Sequence, residues 1–359
     1  MGVKRWSVTC ATLLVVGGAA CGEDAPPIHH PERFTVWAEF LELGDVDEWL
    51  GWAGAHGLNV NVAITEDVHD RAFLAAVCGA AQQHDVALRL WPLLTQDKGY
   101  WANQANVEDF ARYVGLLRDW AEADCPRLEG FVVDLEMPYD RAQEMQALFD
   151  TGGSTGDLLN FLLLGVDEDA FEAARGRFVD LVEDLNGRGY LVSASTLAFL
   201  ADDPGDGDES IAKALWTPIN DIPWEKISFQ VYRTHFQQIW GQGIAEAPVD
   251  FPPGLITSYA RSIVEYYGER GAIDLGTIGS AGVGGINGYT DAADLQADIA
   301  AALAEGIPTG RIQLFSLDGL FEVTHPTDFV TIPTPAAAPI DASTLEMRNL
   351  FTSLDLIAN

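Results

Sequence analysis

The chain has 359 residues, 48% hydrophobic and 21% charged, which excludes a disordered polypeptide and supplies enough apolar side chain for one large core. With 54 acids against 20 bases the formal net charge is −34, and a surface of that sign repels phosphate backbones, which argues against nucleic acid as a partner. A solvated surface accounts for the acidity, and a monomer is expected.

The first residues read as an export signal. Lys4 and Arg5 precede an apolar stretch from Val8 to Val16, which is short for a membrane span, and small residues Gly17 to Ala20 lead to Cys21. This resembles a bacterial lipobox, with Gly18 where that motif usually has Leu. The resemblance implies a lipoprotein-type signal over 1–21, lipid on Cys21, and a bacterial protein facing periplasm or cell surface that meets the membrane through its anchor alone. An ordinary secretory signal cut nearby is the alternative. Residues 22–32, with Pro26, Pro27 and Pro31, read as a flexible tether, and 33–359 as one domain.

Within that domain eight β-branched or aromatic runs alternate with amphipathic stretches. The runs are Phe34–Phe40, Leu58–Ile64, Ala87–Leu94, Gly130–Glu136, Tyr190–Leu197, Ile227–Tyr232, Ile273–Ile278 and Ile312–Leu317. Helices are expected over Arg71–His84, Glu108–Glu122, Glu168–Asn186, Leu255–Arg270, Ala292–Glu305 and Ser343–Leu354. Strands alternating with helices imply parallel βαβ units, and eight such units imply an α/β fold, the (β/α)₈ TIM barrel, as a single domain. Cys78 and Cys125 fall near successive helices of such a barrel, so a disulfide between them is a candidate in an exported protein. Long connections after strands four, five and six are expected to wall a cleft. The first contains Gly152-Gly153-Ser154-Thr155-Gly156, a literal G-x-S-x-G that lacks the preceding strand a nucleophile elbow requires. Gly282, Gly284, Gly285 and Gly288 read as a flexible loop, since Asn287 stands where a dinucleotide motif needs glycine.

The chemistry converges on strand ends. In the run closing with Val132-Val133-Asp134-Leu135-Glu136-Met137-Pro138, alternate side chains share a face, so Asp134 and Glu136 lie side by side with Val132 behind them. Pro138 ends the ladder. Two acids at the C-terminal end of a barrel strand mark the active face. Around the same rim stand Trp37 and Glu39, Trp91, Gln230, Tyr232 and Arg233, and Phe315 and Asp318. Aromatics beside carboxylates suit a sugar, whose ring faces stack on indole or phenyl while its hydroxyls bond the acids.

The stretch Glu129-Gly130-Phe131-Val132-Val133-Asp134-Leu135-Glu136 resembles the strand-four signature D-G-x-D-x-D-x-E of the family 18 glycoside hydrolases, which include the chitinases. Gly130, Asp134 and Glu136 match; Glu129 is a conservative change and Val132 replaces a family Asp. Tyr232 keeps the Tyr of the family's M-x-Y-D on strand six, and Phe315-Ser316-Leu317-Asp318 keeps three residues of W-S-L-D on strand eight. The S-x-G-G of strand three is absent. The resemblance implies hydrolysis of a glycan bearing N-acetylglucosamine, with Glu136 as general acid and the substrate's acetamido oxygen as nucleophile, oriented by Asp134 and Tyr232. Phe315 would underlie the sugar, with Trp91 and Trp37 as walls. In the family the Asp replaced by Val132 holds the second Asp, so Asp134 here needs another partner.

Glu39 opens a second scheme, two-carboxylate hydrolysis opposite Glu136; an ion pair with Arg89 or Arg233 in the mouth is its structural alternative. A glycan-binding lipoprotein without catalysis is the rival from another functional class. Of the histidines, His235 alone stands near a strand end and no pair has zinc-ligand spacing, so neither metal nor cofactor is expected.

Overall fold

The computed structural model describes residues 26–151, 155–164, 166–205, 207–237, 250–279 and 288–349. The signal segment with Cys21, the centre of the G-x-S-x-G stretch and Gly282, Gly284 and Gly285 lie outside the described residues.

Eight parallel strands close a barrel in chain order. They are β1 Thr35–Ala38, β2 Asn59–Thr65, β3 Leu88–Leu93, β4 Gly130–Leu135, β5 Leu191–Leu197, β6 Ile227–Gln230, β7 Gly271–Gly276 and β8 Ile312–Phe315. Every run expected as a strand overlaps one; β2 ends one residue beyond its run, at Thr65, and β7 begins two residues before its run, at Gly271. The helices around them include α1 Val46–Ala55, α2 Arg71–Gln83, α3 Val107–Asp124, α4 Tyr139–Asp150, α5 Thr155–Leu163, α6 Glu168–Gly187, α7 Ser210–Ala214, α8 Gly254–Ser262 and α9 Ala292–Ala304. Asp side chains start three of them: Asp70 accepts the Phe73 N–H, Asp167 that of Ala170 and Asp291 that of Ala293. The C-terminal helix runs over 342–349 of the described residues.

The large core lies between barrel and helices. Outward-facing Phe131, Val133 and Leu135 of β4 are fully buried there. Inward-facing residues form a second, smaller cluster inside the barrel: Trp37, Ala63, Trp91, Leu93, Val132, Tyr232 and Phe315. Gly130 lets β4 approach β5, because a Cβ there would be driven into the Leu191 carbonyl oxygen. Cys78 on α2 and Cys125 after α3 are disulfide-bonded, with Cα atoms 5.3 Å apart.

One expectation about a connection changes. Residues 26–32 are packed on the N-terminal end of the barrel and do not hang free. Ile28 is buried, its N–H donates to the Arg127 carbonyl (3.2 Å), and the His30 carbonyl accepts from Asn59 Nδ2 (2.8 Å). His29 reaches Glu129. The connection after β4 is built from α4 and α5, and, as the sequence indicates, no strand directly precedes the G-x-S-x-G stretch.

Candidate active site

The period of the strands places the site. On β4, residues 132, 134 and 136 face the barrel interior, and Pro138 follows where the chain turns into α4. The backbone of this end is held from both sides. Ala102, in the connection after β3, accepts the Glu136 N–H (3.2 Å) and donates its own to the Asp134 carbonyl (2.9 Å). From β5, the Thr196 hydroxyl donates to the Leu135 carbonyl (2.7 Å).

Asp134 and Glu136 are brought together under one donor. Gln230 Nε2 lies 2.9 Å from Asp134 Oδ1 and 2.9 Å from Glu136 Oε1. Burial pushes Glu136 up to about 7, against the lowering effects of the Gln230 and Asp134 hydrogen bonds. Burial likewise raises Asp134, and the charges of Glu136, Asp274 and Glu39 add to the rise. The pair therefore titrates as a unit and holds a proton well above the usual carboxylate range.

Glu39 stands across the mouth on the end of β1. It is 8% exposed, accepts the Tyr100 hydroxyl at 3.0 Å, and leaves Oε2 without a partner among the described residues. Burial raises it to about 7; the Tyr100 bond opposes, and the Asp318 and Glu136 charges reinforce. It makes no ion pair with either expected arginine. Arg89 lies at the N-terminal end, bonded to Glu129 (2.7 Å), Ser193 (2.9 Å) and Glu225 (3.1 Å).

Arg233 also lies elsewhere than expected. It does not reach the mouth: its guanidinium pairs with Asp298 of α9 at 3.0 Å and donates to the Phe251 carbonyl at 3.0 Å, behind the sheet. It lies past the end of β6, at the start of a helix over 233–237 of the described residues. Asp318 works on the backbone, accepting the N–H groups of Glu39 and Phe40 at 3.0 Å each. It holds the loop that carries Glu39.

The remaining expected residues line the bed of the cleft. Trp37 and Trp91 pack edge to face with ring centres 4.8 Å apart, and Phe315 lies 5.6 Å from Tyr232. All four are nearly covered, and Tyr100 and Trp101 extend the lining outward with ring centres 5.2 Å apart. Burial, with four carboxylates nearby, raises Tyr232 well above the ordinary tyrosine range, so its hydroxyl keeps its proton. His235 stacks edge-on to Tyr232 at 5.2 Å, and burial lowers it to about 4, which leaves it neutral. Among the described residues no cluster of His, Cys, Asp or Glu has the makings of a metal site.

Sequence reasoning missed a polar layer beneath the pair. Register places Ser195 beside Asp134, and Asp274 between Gln230 and Gln313. Asp274 Oδ2 accepts from Ser195 (2.7 Å) and Oδ1 from Ser228. Burial raises Asp274, and those two hydroxyls and the Lys226 charge oppose it. The signal was available: polar residues at alternate positions inside strands otherwise apolar on both faces. Tyr100 was missed because it sits in a connection, in the left-handed region at φ 59°.

No protein-family model matches the chain, and no curated protein does. Solved structures similar to it over most of its length include a D-allulose 3-epimerase from Methylomonas sp. (11% identity, 89% of this chain and 99% of that one, TM-score 0.44). A putative chitinase A from Streptomyces coelicolor has 11% identity over 91% and 98% of the two chains, with TM-score 0.42. A broad-specificity endoglucanase from Clostridium longisporum has 11% identity over 87% and 86%, with TM-score 0.44. These likenesses concern the barrel as a whole and assign no residue a role.

Proposed function

We propose that this barrel is a glycoside hydrolase acting on a glycan that bears N-acetylglucosamine. The observation that carries the reading is the Asp134–Gln230–Glu136 bridge, a carboxyl pair with Asp134 buried and Glu136 partly buried, that retains a proton near neutral pH inside an aromatic-lined mouth. A general acid needs a proton available at working pH, and burial beside a second carboxyl supplies it.

In the reading favoured here Glu136 gives its proton to the glycosidic oxygen as the C1–O bond breaks. The acetamido carbonyl oxygen closes on C1, Asp134 holds the acetamido N–H, and the Tyr232 hydroxyl donates to the carbonyl oxygen. Water then attacks C1, Glu136 takes its proton, and the ring opens to the free sugar. A second reading is favoured by Glu39: it is buried, opposite, and has one unpartnered oxygen. In that scheme Glu39 is nucleophile or base, and no acetamido group is required.

The signal-like start and the Cys78–Cys125 bond support export to an oxidising compartment, with lipid on Cys21 as anchor. The test is hydrolysis of fluorogenic N-acetylglucosaminides, chitin oligomers and peptidoglycan by the full chain, alongside sugars lacking the acetamido group. Turnover of the first set alone, inhibited by a thiazoline mimic of the cyclic intermediate, is expected. Turnover of both sets transfers the nucleophile's role to Glu39. Binding without turnover makes this a glycan-binding protein.

A further inference from the structure

We propose that Asp274 is a positioning residue that keeps the Asp134–Glu136 pair protonated, a buried carboxylate set one serine and one glutamine away from it. The role rests on reading that pair as the acid of a hydrolase, but its titration can be followed without substrate.

The donors define the charge. Asn61 Nδ2 donates to Gln313 Oε1 (2.9 Å), Gln313 Nε2 to Ser228 Oγ (2.6 Å), and Ser228 to Asp274 Oδ1. From the other side Ser195 donates to Asp274 Oδ2 (2.7 Å). Every hydrogen in this chain points at Asp274. Accepting at both oxygens favours the ionised form of Asp274 and opposes the burial that raises it. Lys226, just before β6, adds a cation that favours the same form. Toward the site, Ser195 Oγ is 3.4 Å from Gln230 Nε2, the atom that bridges the pair. A fixed negative charge so placed disfavours loss of the pair's last proton, as like charges in a shared dry site do. Val132, fully buried below Asp134, offers no polar contact there, and Asp274 stands in from across the barrel.

The pair is faced by Glu39 from β1, Tyr100 from the connection after β3, Ser195 from β5, Gln230 and Tyr232 from β6, and Asp274 from β7. The tyrosines stay neutral through the relevant range, and Glu39 is unaltered by a change at 274. Removing the Asp274 charge therefore lowers the pH at which the pair gives up its last proton.

The experiment uses the full chain with Asp274→Asn, which keeps the volume. The carboxyl infrared band of the pair, assigned by its loss in Glu136→Gln, is followed against pH, together with kcat and KM on a fluorogenic chitobioside. The account expects the titration and the alkaline limb of kcat to move down by about one pH unit, with KM changed less than about twofold. Ser228→Ala, which removes one hydrogen bond to the Asp274 carboxylate and touches neither acid, should move both in the same direction, and it decides the matter if Asp274→Asn does not fold. An unmoved or upward titration overturns the proposal. So does an activity loss equal at every pH, which marks a structural role. If the wild type hydrolyses nothing while the titration still moves down, the hydrolase reading fails and the link to Asp274 stands.

Discussion

Gln230 Nε2 sits equidistant, at 2.9 Å, from Asp134 Oδ1 and Glu136 Oε1. An amide that donates both hydrogens to two acids stabilises whichever of them is ionised. Gln230→Leu should therefore raise the pH at which the pair loses its last proton, widening the alkaline side of the rate profile. It should also reduce kcat by roughly 10- to 100-fold, since the two acids are no longer held side by side. A pH–rate profile of the variant checks both effects.

Glu39 gives a stability prediction. Its carboxyl is raised to about 7 in the fold, mainly by burial, from an ordinary value near 4.5. Between those values the folded state binds more protons than the unfolded one, so stability falls as pH rises through that window. Glu39→Gln keeps an acceptor for Tyr100 and removes the charge. The variant should gain roughly 1–3 kcal/mol over wild type at pH 8 and match it at pH 4, read from urea midpoints.

Arg233 should matter for stability rather than for substrate. Its partner Asp298 is 1% exposed, so Arg233→Ala leaves a buried acid without its cation. The expected loss is about 3–5 kcal/mol in chemical denaturation, with KM unchanged in whatever fraction stays folded. A raised KM at full stability would put Arg233 in the mouth after all.

The Cys78–Cys125 bond closes a loop with a sequence separation of 47 residues. Cys78→Ser with Cys125→Ser should cost about 2–4 kcal/mol in the urea midpoint while the pH–rate profile keeps its shape, because neither residue is near the strand ends that carry the acids.

The barrel was legible because its signals are local. Eight apolar runs separated by helical periods leave little choice of topology, and the two-residue spacing of Asp134 and Glu136 before Pro138 fixes which way they face. Arg233 was misplaced because β6 ends at Gln230 and the chain enters a helix at 233, so the strand period no longer applies there. Asp318 was read as a ligand for substrate, but its backbone contacts with Glu39 and Phe40 depend on β8 lying next to β1, a closure that no local pattern spells out. Asp274, Ser195 and Ser228 escaped notice for a related reason: their meeting depends on register across three strands.

The most direct test of the central claim is Glu136→Gln assayed on two substrates that differ in their need for an acid. One is a chitin oligomer, whose leaving alcohol must be protonated; the other is a dinitrophenyl N-acetylglucosaminide, whose phenolate leaves unaided. The account predicts that the folded variant loses at least about 10²–10⁴-fold on the oligomer and retains most of its rate of dinitrophenolate release. Equal losses on both substrates, or an oligomer rate like that of the wild type, would contradict Glu136 as the general acid.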